Sequence, residues 1–257
     1  MSISRERDEH PTRTRTWRAG PQLAGAWHHG PVTSPLSPTP RSTPRREKER
    51  AQSDRAALHD VLAASLICHL GVVVDGVPLA LPTVFAVDAD GPDEGGTVYV
   101  HGSAASRSLV QGPNQDVSVT MTVLDGIVLA RSGFNHSMNY RSAVVVGRPR
   151  VVTSEAERSH ALDLLVDHVT PGRSATLRRP TRKELSATAV LALPLHEASV
   201  KRRTGDPEDE DFDVEPGDVW AGVVPLRLVA GEVLTSADAD GLGVPDHVRR
   251  RAEGLAR

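Results

Sequence analysis

Residues 66–87, LICHLGVVVDGVPLALPTVFAV, decide the fold of this chain. Two apolar runs rich in β-branched residues flank Asp75-Gly76, a dipeptide whose members both tolerate the positive φ angles of a tight hairpin turn. The pattern therefore predicts two antiparallel strands joined at Asp75-Gly76. Because Pro78 and Pro82 lack the backbone N–H that a central strand must donate, we expect the second strand to lie at an edge of its sheet.

The same pattern recurs along the chain. Asp125-Gly126 predicts a second hairpin, and helices are expected to begin near Ser53, at Ser154 with Glu157, and at Thr181 with Glu184. Since a parallel sheet would need a helix after nearly every strand, the fold class is mainly β with a few helices (α+β), an antiparallel barrel of about six to eight strands. The further predicted strands are Val117–Leu124, Ile127–Ser132, Thr97–His101, Tyr140–Val152, Thr188–Leu195 and Val219–Leu234.

Composition divides the chain into three parts. Residues 1–52 are rich in Arg, Pro and Ser and are predicted to be a disordered tail, 53–234 form the barrel domain, and 235–257 are weakly ordered apart from a short helix from Pro245. Residues 1–55 carry eleven Lys and Arg against six Asp and Glu. Two interpretations of the tail stay open, an arm for an anionic partner and a solvated tail or sequence translated upstream of the true start.

Charge and motif content exclude several classes of protein. A net charge of −3 argues against nucleic-acid binding, and no apolar run reaches the roughly 20 residues that a membrane span needs. The N-terminus does not resemble a secretory signal, so we expect a cytoplasmic protein. Cys68 is the single cysteine, and the scattered histidines lack ligand spacing, so no metal site is predicted. Phosphate-loop, dinucleotide-binding and zinc-protease motifs do not occur.

The segment Tyr99–Arg107 is the most informative for function. A strand ends at His101, Gly102 lets the chain turn, and Ser103 is placed to cap a short helix. Ser103, Ser106 and Arg107 would then share one helical face, which suits a phosphate group. The alternative is an ordinary capped helix with an exposed arginine.

Two later segments concentrate polar residues. In His136–Ser142, strand alternation places Tyr140 and Ser142 on one face and Arg141 on the other. Lys201–Gly205 precedes an acidic run at 206–218, and Trp220 follows it. Without further information, these segments equally fit a half-exposed strand, surface ion pairs and a tryptophan in the core or an interface.

Taken together and in order, several segments of the sequence resemble the pyridoxamine 5′-phosphate oxidase-like family, in its flavin-nucleotide-binding and nitroimidazole reductase branch. The resemblance covers about residues 53–232 and rests on Leu66–Gly71, Pro82-Thr83, Tyr99–Arg107, His136–Ser142, Lys201–Gly205 and Trp220–Gly222. It implies an FMN-binding split β-barrel and a homodimer with FMN at the subunit interface.

The resemblance also implies roles for individual residues. Ser103, Ser106 and Arg107 would contact the FMN phosphate, and His101 or His136 would face the substrate. Because the flavin itself carries the redox chemistry, no dedicated catalytic residue is required. The remaining implied flavin-binding residues are Thr83, Tyr99, Val100, His101, Gly102, Thr122, Tyr140, Arg141, Ser142, Lys201, Arg203 and Trp220.

These features predict an FMN-dependent oxidoreductase that transfers electrons between NAD(P)H and an unidentified small molecule. Three alternatives stay open. They are a split-barrel reductase that uses a deazaflavin, a haem-binding relative with a histidine ligand, and a flavin-binding module without turnover. Neither a nucleic acid nor a membrane is an expected partner.

Overall fold

The fold is seen in a computed structural model that describes residue 36 and residues 39–255. Its helices are α1 Arg55–Ala64, α2 Arg107–Gln111, α3 Glu155–Val169, α4 Arg182–Ala187, α5 Asp211–Val214 and α6 Asp246–Leu255. Its strands are β1 Ala51–Gln52, β2 Cys68–Val74, β3 Val77–Thr83, β4 Phe85–Asp88, β5 Thr97–Ser103, β6 Val117–Leu129, β7 Ser137–Gly147, β8 Arg150–Val151, β9 Thr188–Pro194, β10 Ala198–Arg203 and β11 Gly222–Pro225.

The described strands form two antiparallel sheets, which confirms the predicted α+β split barrel. The larger sheet has the order β1-β10-β7-β6-β2-β3, with β11 added to β6, and the smaller sheet has the order β4-β5-β9-β8. The main core contains Leu58 and Leu62 of α1, Met121 of β6, and Phe85 and Leu191 of the smaller sheet. There are more strands than predicted, because the short strands β1, β4 and β8 and the six-residue strand β10 were not predicted as separate elements.

The hairpin at Asp75-Gly76 is confirmed. Asp75 has a φ of 51° and Gly76 a φ of 79°, the positive values that a tight turn requires. Strands β2 and β3 pair on either side of it, and β3 lies at the edge of the larger sheet, as Pro78 and Pro82 indicated.

The second predicted hairpin is wrong. Strand β6 continues through Asp125-Gly126 with only a shift of register, and the turn to β7 lies at residues 130–136. A β-carbon at Gly126 would lie 3.0 Å from Val223 Cγ1, so this glycine permits the close approach of β11. An Asp-Gly pair therefore looks the same in the sequence whether its glycine forms a turn or makes room for a neighbouring strand.

Other boundaries differ from the predictions. The side chain of Asp54, not Ser53, caps α1 by accepting from the Ala56 N–H. Val219–Leu234 forms a strand only at β11, and β10 was not predicted at all. The caps at Ser154 and Thr181 are confirmed, the second with a reciprocal bond in which the Thr181 N–H donates to the Glu184 carboxylate.

Part of the predicted N-terminal tail contacts the barrel. Strand β1 pairs with β10, Arg41 forms ion pairs with Asp116 and Glu197, and the backbone N–H of the buried Leu36 donates to the Ser53 carbonyl. Residues 1–35 and 37–38 of that tail lie outside the described residues.

A partly buried ion network ties α3 to the smaller sheet. Arg150 bridges Asp93 and Glu157, and the fully buried Tyr99 donates its hydroxyl to Glu157 Oε1 over 3.1 Å. Hydrogen bonds from Arg150 lower the pKa of Glu157 despite its partial burial. Burial, together with the contact to Glu157, raises the pKa of Tyr99 to about 12. The network therefore favours an ionised Glu157 and a neutral Tyr99.

We expect Tyr99→Phe to lower the free energy of unfolding by about 1–2 kcal/mol, because a hydrogen bond to a charged group is lost. Since the pKa of Glu157 is lowered on folding, its contribution is complete above the ordinary glutamate pKa of about 4.3 and is lost as the pH falls through the folded value. The deficit of the variant should therefore shrink at acid pH. Urea unfolding at neutral pH and at about pH 3 measures this, and an equal deficit at both would contradict the network.

Candidate functional site

The larger sheet has one face on the core and one open face, which we call the outer face. Cross-strand partners lie on the same face of a sheet, so the register of the strands defines the members of each face. Residues of the outer face are exposed or half-buried, while their neighbours at alternate positions are mostly buried. The outer face includes His69 and Gly71 of β2, Ser118, Thr120 and Thr122 of β6, Ser142, Val144 and Val146 of β7, and Ser199 and Lys201 of β10.

Three of the predicted site residues are neighbours on the outer face. Thr122 pairs with Ser142, and Ser142 pairs with Lys201; we call these three residues the hydroxyl row. Lys201 donates to the Arg46 carbonyl over 2.7 Å, which holds its ammonium group near the row. Tyr140 lies two residues from Ser142 on the same strand and face, half-buried. The row combines hydroxyls, which donate and accept, with one positive charge.

Arg141 lies on the opposite face, as alternation predicted. Its Nε and a terminal nitrogen donate to the two carboxylate oxygens of Asp125 over 2.9 and 2.8 Å. The hydrogen bonds that Arg141 donates to this carboxylate raise the pKa of Arg141. The side chain is thus committed to a bidentate ion pair, away from the hydroxyl row.

Arg203 is also committed to the protein. It is 4% exposed and donates to Asn139 Oδ1 over 2.7 Å and to the Asp206 carbonyl over 3.1 Å. The Asn139 amide in turn donates to the Gly205 carbonyl over 3.0 Å. This arrangement, which we call the Asn139 latch, fastens the start of the acidic segment 206–218 to strand β7.

The Ser103–Arg107 segment differs from the predicted helix. Helix α2 begins only at Arg107, so Ser103 and Ser106 precede it and the three side chains do not share a helical face. Ser103 Oγ accepts from the Ala105 N–H over 3.2 Å. The side chain of Arg107 is 72% exposed and forms an ion pair with Asp75 over 2.5 Å. Arg107 is therefore open to solvent and has one exchangeable carboxylate partner.

Arg107 and the hydroxyl row are far apart within one chain. Arg107 contacts Asp75, which lies in the β2–β3 turn, six residues after His69. Thr120 of β6 pairs with His69, and Thr122 lies two residues farther along β6, in the direction away from that turn. The separation along the strands corresponds to about eight residues, or roughly 26 Å. That distance exceeds the length of an FMN molecule.

The remaining predicted residues of β5 lie mostly below the surface. Tyr99 and Val100 are buried, and their strand pairs with β4 on one side and β9 on the other. His101 is half-buried, its Nδ1 has no hydrogen-bond partner, and burial lowers its pKa. A β-carbon at Gly102 would lie 2.9 Å from Leu109 Cδ1. Thr83 ends the edge strand opposite Cys68.

His136 and Trp220 lie at the distal end of the β6–β7 hairpin. A ring nitrogen of His136, Nδ1, is 2.7 Å from the Ser132 carbonyl oxygen. Trp220 is 68% exposed, and its ring lies against Gly222, where a β-carbon would come within 2.7 Å. Phe134, at 94% exposure, is the neighbouring apolar side chain at the hairpin tip. The structure does not bring these residues to the hydroxyl row.

Sequence reasoning missed His69 as a site residue. Cys68, Leu70 and Val72 are buried in the core, so the period of two places His69 on the outer face. A single polar side chain inside an otherwise apolar strand was the available signal.

Among the described residues, no group of three or more His, Cys, Asp or Glu side chains could hold a metal ion. Nor does that part of the chain contain a helix long and apolar enough to cross a membrane.

Comparison with known proteins adds independent information. A family model described as pyridoxamine 5′-phosphate oxidase matches residues 54–202. The chain is similar to a flavocytochrome from Azotobacter vinelandii, with 34% identity and a TM-score of 0.76 over 84% of this chain and 98% of that one. It is also similar to an FAD and haem binding protein from Mycobacterium smegmatis, with 38% identity and a TM-score of 0.71 over 79% of this chain and 97% of that one. The sequence matches no curated protein.

Proposed function

The chain belongs to the pyridoxamine 5′-phosphate oxidase family, and on that premise we propose that it is a redox protein that binds a flavin nucleotide together with haem. The observation that carries the proposal is the outer face, where the hydroxyl row and an unpartnered histidine lie on one open surface. The two relatives are described as a flavocytochrome and as an FAD and haem binding protein. These descriptions favour FAD over the FMN expected from the sequence.

The residues present fit a flavin nucleotide. Thr122, Ser142 and Lys201 offer donors and acceptors for the polar edge of a flavin ring. Arg107 is exposed and can exchange Asp75 for a phosphate, to which an arginine forms charge-assisted hydrogen bonds. FMN and FAD share the riboflavin 5′-phosphate unit, so this assignment serves both.

The separation of these groups supports a site shared by two copies. Arg107 and the hydroxyl row lie roughly 26 Å apart along the strands of one chain, too far for one FMN to contact both. Two copies packed through their outer faces would bring Arg107 of one copy to the hydroxyl row of the other. Exposed apolar side chains on the same sheet, Val73, Leu124 and Ile127, favour such an interface.

When bound, the flavin supplies hydride or one-electron transfer and haem supplies one-electron transfer. The chain's own residues bind and orient these groups, and packing between two copies would exclude water from them. NAD(P)H is the proposed electron donor, and the acceptor is a small molecule. The fully buried Tyr99 and the ion-paired Arg141 support the scaffold instead of contacting the flavin.

We expect the purified protein to show both a flavin spectrum and a Soret band. Chromatography of the released nucleotide against FMN, FAD and a deazaflavin standard identifies the first cofactor, and extraction of haem quantifies the second. Anaerobic NADH or NADPH should bleach the flavin band. A deazaflavin, or the absence of any nucleotide, would refute flavin binding; no Soret band after reconstitution with haemin would refute haem binding; and flavin that resists reduction would indicate a binding module without turnover.

A further inference from the structure

His69 is placed on the outer face by the alternation of strand β2. Its neighbours Cys68 and Leu70 are buried in the core, while the imidazole is exposed. The ring makes no hydrogen bond or ion pair with any described residue. An imidazole with a free nitrogen is a ligand for haem iron.

The residues next to His69 on the outer face have small side chains. Its cross-strand partners are Thr120 and Pro82, and Gly71 is the next residue of β2 on that face. A β-carbon at Gly71 would lie 2.4 Å from Ser118 Oγ, so a larger side chain at this position would displace the Ser118 hydroxyl. Small side chains beside the imidazole leave space for a planar macrocycle to lie against the sheet.

Other described histidines are less suitable ligands. His136 contacts the Ser132 carbonyl, and His168 contacts the Ser65 carbonyl while its ring packs 4.4 Å from that of Phe85. His160 pairs with Asp88, and His196 pairs with Glu94. The rest are His59, which is buried, His101, which is half-buried on the smaller sheet, and His247, whose Nε2 is buried.

We propose that His69 is an axial ligand of haem bound on the outer face. This inference rests on the proposed binding of haem and assigns it to one residue. The neutral imidazole donates a nitrogen lone pair to the iron, and no electron or atom is otherwise transferred in this step. The neighbouring hydroxyl row starts only two residues away along β6, so the same face places the haem and flavin sites side by side.

The test compares haemin titrations of the full-length wild type, His69→Ala, His69→Gln and the surface control His160→Gln. Loss of a supporting group around a metal ligand already weakens binding 10–100-fold, so loss of the ligand should weaken haem binding roughly a hundredfold or more. The Soret position should change in both His69 variants, and added imidazole should restore it in His69→Ala. His160→Gln should match the wild type.

Because His69 is exposed, both variants should fold, and circular dichroism checks this. His69→Gln keeps a polar side chain of similar reach in case His69→Ala unfolds. If the wild type binds haem and the His69 variants keep its Soret position and affinity, His69 is not the ligand, although the proposed function stands. If the wild type itself binds no haem, both the haem proposal and this assignment fail, while flavin content is read separately from the flavin band.

Discussion

Asn139→Leu should lower the free energy of unfolding by about 2–3 kcal/mol, because it leaves the buried Arg203 without its side-chain acceptor. Asn139 is itself fully buried, so water cannot replace the lost partner without opening the latch. The midpoint of thermal unfolding should fall by roughly 10 °C. The freed Gly205 carbonyl should also loosen the acidic segment, so limited proteolysis within 206–218 should become faster.

A double-mutant cycle separates the latch from simple loss of volume. Arg203→Met combined with Asn139→Leu removes both polar partners, so the double variant should be less destabilised than the sum of the single variants. Asn114→Leu, at an exposed asparagine, is the matched control and should have little effect. Additive losses in the cycle would show that Asn139 and Arg203 are not energetically coupled.

The sequence predicted elements whose cause is local. Asp75-Gly76 forms its turn because the positive φ angles belong to those two residues, and Ser154 and Thr181 cap helices through bonds that span only three residues. Asp125-Gly126 has the same local sequence and a different structure. There the deciding contacts are the Arg141 ion pair and the approach of β11, both made by distant parts of the chain.

The candidate site was predicted in part. Thr122, Ser142 and Lys201 come from three strands, and their adjacency follows from a register that the local sequence does not encode. Strand β10 escaped prediction because Lys201–Arg203 has the charge pattern of a surface loop, although Arg203 is buried through the Asn139 latch. Spacing alone likewise cannot show that Ser103 and Arg107 lie on opposite sides of a helix boundary.

Arg107→Ala should weaken the binding of FMN or FAD roughly ten- to a hundredfold, the equivalent of the 1.5–3 kcal/mol that a hydrogen bond to a charged group contributes. Riboflavin has no phosphate, so its affinity should hardly change. The basis of this prediction is the exposure of Arg107 and its exchangeable contact with Asp75. The helical face that the sequence predicts for Ser103, Ser106 and Arg107 is not present in the structure, so it does not contribute.

Asp75→Asn is a second variant for which the proposal predicts a different result from that of Arg107→Ala. If a flavin phosphate must displace Asp75 from Arg107, then removing the competing carboxylate charge should leave nucleotide binding unchanged or make it tighter, while Arg107→Ala weakens it. Titration of FMN, FAD and riboflavin into the wild type and both variants, followed by fluorescence, measures all the affinities. Equal losses for riboflavin and the nucleotides would indicate general damage, and unaltered nucleotide binding in Arg107→Ala would exclude Arg107 as the phosphate anchor. If, as proposed, Arg107 of one copy meets the hydroxyl row of the other, a mixed dimer of Arg107→Ala and Lys201→Ala chains should retain one intact site.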